Sequence, residues 1–171
     1  MVDRLNETVE QAFDDLVCSV DYPMWIVTTV AADDGERSGC LVGFGTQCSI
    51  HPPRYLACIS TANHTARIAG RAEVVAAHLV PNEHRALVDL FGHETGDTVD
   101  KFASCSWTPG PRGVPLLEDC PARFVGEILE RMPLGDHTGY LVQPVLAEGR
   151  APAEGYVCFQ DVKGMDPGHP A

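Results

Sequence analysis

The sequence predicts a mainly β fold, an antiparallel barrel or sandwich with a few short helices. Two observations carry this. Runs rich in β-branched and aromatic residues recur along the chain, and turn signals separate them: Asp33-Asp34-Gly35, His51-Pro52-Pro53 and Pro133-Leu134-Gly135-Asp136. Helical periodicity, in contrast, is confined to residues 5–20 and short stretches further on. Strands that follow one another through tight turns pair antiparallel, whereas parallel pairing needs a long crossover. At 171 residues the chain is one domain, long enough to bury a core.

Taken in order, residues 5–20 space Leu5, Val9, Phe13, Leu16, Val17 and Val20 at helical intervals with acids between them. This predicts an amphipathic helix lying over the barrel or along a partner subunit. Residues 23–31 form the first strand, and Asp34-Gly35 supplies the positive φ of a hairpin turn. A strand follows over 41–50; it ends at Pro52-Pro53, because proline has no N–H for a sheet ladder. The chain returns over 55–59, makes a helical turn at 66–70 and forms another strand over 73–80. Pro81-Asn82-Glu83 opens a helix carrying Leu87, Val88, Leu90 and Phe91, which stops at Gly92. Residues 93–113 are loop-rich, with a short turn or helix at 98–102. Residues 122–132 form a strand, 133–136 a turn and 137–149 the return strand. The remainder is rich in glycine and proline, offers only residues 156–159 as an edge strand, and is expected to be partly mobile. The division is thus an N-terminal helix (1–22), a central domain (23–150) and a C-terminal extension (151–171).

Composition excludes several classes of function. Twelve basic against 24 acidic residues give a net charge of −12, which disfavours binding to nucleic acid or an anionic membrane. No apolar stretch approaches the roughly 18 residues of a membrane span, and the N-terminus lacks an apolar signal core, so a cytoplasmic location is expected. The seven cysteines, an odd number without a Cys-x-x-Cys pair, read as reduced thiols rather than a disulfide or zinc framework. His78, His84 and His93 lack metal-ligand spacing, and no metal site is expected. No Gly-x-Ser-x-Gly elbow supports serine hydrolysis.

The unusual stretch is 38–65. Gly43, Gly45, Thr46, Gln47 and Ser49 are too small and polar for an ordinary core strand, and glycine in a strand marks either close approach of a ligand or a bulge at a barrel corner. Ser60, Thr61, Asn63 and Thr65 then follow an apolar strand. Such a cluster offers donors to an anion such as phosphate, or caps the short helix after it. Gly43-Phe44-Gly45 is not a dinucleotide fingerprint, since no helix opens after it and no third glycine follows at the right spacing.

Gly39 through Ser49-x-x-Pro52-Pro53, then Ala57-Cys58-Ile59 and the Ser/Thr/Asn cluster, resemble the flavin reductase-like, FMN-binding split β-barrel family. Asp100-Lys101-Phe102, Trp107, Gly113-x-Pro115-Leu116-Leu117 and Gly135-Asp136-His137 with Gly139 follow in the family's order, so the resemblance spans residues 20–150. It implies an antiparallel split β-barrel of Greek-key type with six or seven strands, paired as a homodimer with FMN near the interface. It also implies NAD(P)H:flavin oxidoreductase activity, with hydride passing from nicotinamide C4 to flavin N5. NADH or NADPH would be the donor, FAD or riboflavin would be alternative flavin substrates, and the product would feed a flavin-dependent monooxygenase.

By the same resemblance, Val42, Gly43, Phe44, Thr46, Gln47, Ser49, Ala57 and Cys58 line the flavin ring, while Ser60, Thr61, Asn63 and Thr65 hold its phosphate. His137 orients the nicotinamide or donates a hydrogen bond beside the reacting edge; read from its turn alone, it bonds its own backbone. The chain departs from the pattern where many relatives have Asn-Ser in place of Gly43-Phe44 and an acid in place of His51, which leaves Phe44 to pack on the ring. Two other classes stay open: a flavin-binding electron-transfer or storage module without turnover, and a split-barrel protein that uses haem, a deazaflavin or pyridoxine phosphate.

Overall fold

The computed structural model describes residues 2–166, with side chains from residue 8 onward; Leu5 of the helical stripe and Pro167, Gly168 and Pro170 of the tail lie outside the described side chains and residues. Helix α1 (Val2–Val17) leads into β1 (Trp25–Ala31), β2 (Arg37–Val42), β3 (Gly45–Ser49) and β4 (Arg54–Ser60). Helix α2 (His64–Ala69), β5 (Ala72–Leu79) and α3 (Arg85–Gly92) follow, then the short strands β6 (Trp107–Pro109) and β7 (Pro115–Leu117). The long pair β8 (Arg123–Leu134) and β9 (His137–Glu148) and a last helix, α4 (Phe159–Val162), complete the chain.

Seven strands form one antiparallel sheet in the order β2-β1-β5-β8-β9-β4-β3. β2 and β3 are neighbours in sequence yet occupy opposite edges, joined only by Gly43 and Phe44. A link this short spans about 10 Å, so the sheet has to roll until its edges approach. The expected single strand over 41–50 is therefore corrected to two strands with an elbow between them. The Gly45 N–H donates to the Gly43 carbonyl (3.1 Å) and the Cys58 N–H to the Phe44 carbonyl (2.8 Å), which bends the chain and hands it to β4.

Both faces of β1 are buried, and its residues are apolar or β-branched throughout. Ile26 packs outward with Val80, Leu87, Phe91 and Leu117, whereas Val27 points into the barrel with Val75, Tyr140 and Val142. The buried hydroxyls of Thr28 and Thr29 donate to the carbonyls of Pro115 (2.6 Å) and Val74 (2.8 Å). His78, fully buried, receives the Leu117 N–H on Nε2 (3.2 Å) and so donates from Nδ1 to the Ile26 carbonyl (3.0 Å). The Asp-Gly and Gly-Asp turns behave as read: Gly35 and Gly135 have φ of 76° and 78°, left-handed values that favour glycine.

Two segments differ from expectation. The loop over 93–113 carries the expected short helical turn, at Lys101–Ala103, but also β6, which pairs with β7. Each strand has three residues and prolines close it, too short for a periodic signal. Residues 156–158 do not extend the sheet: Tyr156 and Cys158 bridge singly to Pro81 and Pro23, which lack the N–H a ladder needs. Helix α4 follows instead. Among the described residues no helix is long and apolar enough to cross a membrane.

Candidate functional site

A cavity of about 230 Å³ opens at the elbow between β2 and β3. Its floor is the run Cys40, Leu41, Val42, Gly43 and Phe44, faced by Cys58, Ile59 and Ser60 of β4. Asn63 closes one end, and His137, the first residue of β9, stands opposite Ser60 in the strand register. Tyr22, Met24 and Phe159 supply a further wall. Among the described residues no Asp, Glu, Lys or Arg lines this space.

Each polar group has a traceable support. His137 Nδ1 lies 2.7 Å from Asp136 Oδ1, a bond that lowers the Asp136 pKa and fixes the ring. With Nδ1 engaged there, Nε2 is the ring nitrogen left for another partner. Its ring packs at 5.2 Å from that of Phe44, which is 57% exposed. The Asn63 side chain accepts from the Thr65 N–H (2.9 Å), so it caps α2 while lining the cavity. The thiols of Cys40 and Cys58 are kept protonated by burial, Cys40 being pushed up to about 11.

The structure thus brings together Val42, Gly43, Phe44, Cys58, Ser60, Asn63 and His137 from the residues read off the sequence. The others are placed differently. Thr46 and Gln47 are exposed on β3, the free edge of the sheet, and the Gln47 side chain donates to the Ser49 carbonyl (3.2 Å). Ala57 is buried in the core. The Thr61 N–H and hydroxyl donate to the Asp136 carbonyl (2.8 and 3.0 Å), which ties the end of β4 to the β8–β9 turn. Thr65 is turned inward, 1% exposed, with its hydroxyl 2.9 Å from that of Ser38. Hydroxyl composition alone could not separate these roles.

The glycines, read from the sequence as marking close approach of a ligand or a bulge, face aromatic side chains. A Cβ on Gly43 would lie 2.8 Å from Tyr22 Cε2, and one on Gly45 would lie 2.5 Å from the Tyr55 hydroxyl. Both admit the protein's own aromatic rings. Tyr22 and Phe159 were missed in the sequence reading; each is one aromatic at an end of the domain, and only the closed fold sets them side by side.

A second cavity, about 430 Å³, continues along β2 through Ser38 and Gly39 and is bounded by His64 and residues 96–102. His64 Nδ1 and Nε2 face Asp97 (2.9 Å) and Glu36 (3.1 Å), so this histidine is committed to the protein itself. Lys101, 5% exposed, donates from Nζ to the carbonyls of Gly39 (3.0 Å) and Phe91 (3.3 Å). Desolvation lowers its pKa.

Such a groove, neutral, walled by aromatic rings and with Ser60 and Asn63 at one end, is suited to a flat heteroaromatic ring carrying a polar tail. Comparison with known proteins points the same way. Residues 18–161 match the profile described as a flavin reductase like domain. The FMN reductase (NADH) RutF of Bradyrhizobium diazoefficiens is 28% identical over 136 residues, covering 78% of this chain and 73% of that one. The 4-hydroxyphenylacetate 3-monooxygenase reductase component of Escherichia coli is 25% identical over 134 residues, covering 77% and 76%. The solved structure of the NADH:FAD oxidoreductase SgcE6 of Streptomyces globisporus C-1027 superposes with a TM-score of 0.75 at 22% identity, over 84% of this chain and 83% of that one, and shares the fold. With the profile matched across nearly the whole domain, and the elbow groove where its β2–β4 motifs converge, the chain belongs to the flavin reductase-like family.

Proposed function

We propose that this protein is an NAD(P)H-dependent flavin reductase whose elbow groove holds the ring of FMN. The observation that carries the reading is the convergence of Val42, Gly43, Phe44, Cys58, Ser60, Asn63 and His137 on one uncharged, aromatic-walled cavity. The relatives are named for FMN, FAD and NADH, which supports NADH as the donor and leaves NADPH, FAD and riboflavin as substrates to be compared.

In this reading hydride acceptance at N5, from nicotinamide C4, is the chemistry that a bound flavin supplies. The chain's own part is placement. Val42 and Phe44 give the ring an apolar face, while Ser60 and Asn63 meet the polar tail. His137, held by Asp136, turns Nε2 toward the carboxamide of a nicotinamide and so orients it. Orientation of two rings in contact supplies most of the acceleration, since hydride transfer needs no protein acid at that moment.

At about 230 Å³ the cavity is smaller than the roughly 300–1,000 Å³ typical of a site that encloses its ligand. We read the missing enclosure as a second copy of the chain. Exposed Val9, Phe13, Leu16 and Val20 form an apolar stripe on and just beyond α1, and Thr46 and Gln47 on the β3 edge stand ready to meet a partner. A monooxygenase supplied with reduced flavin is the downstream partner, as the name of the Escherichia coli relative indicates for that protein. The free thiols fit a reducing cytoplasm.

The test is steady-state NADH oxidation with added FMN. Turnover that depends on both supports the reading; FMN binding without turnover makes the protein a flavin-binding module; a visible spectrum of haem overturns it.

A further inference from the structure

We infer that Tyr22, backed by Phe159, is a ligand-contacting wall of the groove: its ring meets the edge of a planar heteroaromatic ring, and its hydroxyl donates to a carbonyl or ring nitrogen there. The inference rests on the flavin-groove reading and adds to it a residue that no motif marks.

Four observations converge on Tyr22. It lines the 230 Å³ cavity together with Phe159. The two rings are stacked, with centroids 4.8 Å apart and planes within 10°, so they present one stiff aromatic surface. Gly43 has no side chain where the Tyr22 ring lies, since a Cβ there would sit 2.8 Å from Cε2. Among the described residues nothing accepts a hydrogen bond from the Tyr22 hydroxyl. By contrast, the Tyr140 hydroxyl donates to the Ala66 carbonyl (3.2 Å).

The backbone fixes this wall from both sides. The Phe159 N–H donates to the Tyr22 carbonyl (2.8 Å), and the Met24 N–H donates to that of Val157 (2.9 Å). The Gln160 N–H reaches Asp21 Oδ1 (3.0 Å), while the Gln160 side chain (2.9 Å) and Lys163 Nζ (3.0 Å) both donate to the Cys18 carbonyl. Burial and the neighbouring Cys18 and Asp21 raise the Tyr22 pKa, so the phenol keeps its proton and serves as a donor. A phenol without a protein acceptor among the described residues, on a pinned aromatic ring that lines this cavity, suits the carbonyl-bearing edge of a flavin or the carboxamide of a nicotinamide.

The experiment compares wild type, Tyr22→Phe and Phe159→Leu in FMN titrations by fluorescence quenching, in NADH oxidation at saturating FMN, and in thermal melts. Tyr22→Phe keeps the stack and should leave the melt unchanged, while weakening one ligand about tenfold, the worth of one lost hydrogen bond. A raised Kd for FMN assigns the phenol to the flavin; a raised KM for NADH at unchanged FMN affinity assigns it to the nicotinamide. Phe159→Leu should weaken the same ligand. A Tyr22→Phe protein with both constants unchanged overturns the inference and leaves the flavin reading intact. A wild type that neither binds FMN nor oxidises NADH overturns both.

Discussion

Phe44 and His137, from the elbow after β2 and the first position of β9, hold their rings 5.2 Å apart at an interplanar angle of 47°. The sequence separates them widely; the fold puts them at one mouth. Phe44 is 57% exposed, so its position is not explained by burial in the core. Phe44→Ala is expected to weaken FMN binding about tenfold, the worth of an aromatic contact, with little change in the melting temperature. Equilibrium titration with FMN reads the first effect and a thermal scan the second.

His137 is tied to Asp136 through Nδ1, and its Nε2 is the group left to act. His137→Ala should raise the KM for NADH about tenfold while leaving FMN affinity near wild type. Asp136→Asn should produce a smaller shift in the same direction, because it loosens the ring without removing it. NADH oxidation at saturating FMN measures both, and unchanged kinetics in His137→Ala would remove this residue from the site.

The longer strands β1, β4, β5, β8 and β9 and most turns were legible in the sequence, since β-branched runs and Asp-Gly or Gly-Asp turns act locally. The elbow was not. The run from Cys40 to Phe44 stays apolar or small across it, and only the pairing of β2 with β1 and of β3 with β4 shows that the chain changes edges. Of the candidate residues, Ser60, Asn63 and His137 share one cavity, because β4 and β9 pair in register and bring the ends of both strands together. Thr65 lies outside that cavity lining, and its hydroxyl meets that of Ser38. Tyr22 and Phe159 carry no local signal at all.

His78 makes stability depend on pH. Burial lowers its pKa from 6.5 to about 4, so the folded protein holds it neutral where the unfolded chain would protonate it. The unfolded state then binds more protons between those values, and stability rises with pH across that window and is lost as pH falls through it. The span corresponds to about 3 kcal/mol. Urea denaturation from pH 4 to 7 should show the slope, and His78→Gln should flatten it.

Lys101 joins β2 to the end of α3 through the carbonyls of Gly39 and Phe91. Lys101→Met leaves both carbonyls without that donor, at a cost of about 2–3 kcal/mol. Chemical denaturation of the variant measures it; a cost near zero would mean that water replaces the ammonium.

The apolar stripe on α1 predicts the assembly state. Phe13→Glu combined with Leu16→Glu should convert a dimer to a monomer in sedimentation equilibrium and weaken FMN binding at the same time. A wild type that sediments as a monomer would remove the second copy from the account.

The most direct test is a crystal structure of the protein with FMN. The account predicts the ring against Val42 and Phe44, beside the Tyr22 ring that covers Gly43, with the phosphate end toward Ser60 and Asn63. FMN bound elsewhere, for example in the larger cavity beside Lys101 with the elbow groove empty, would contradict it.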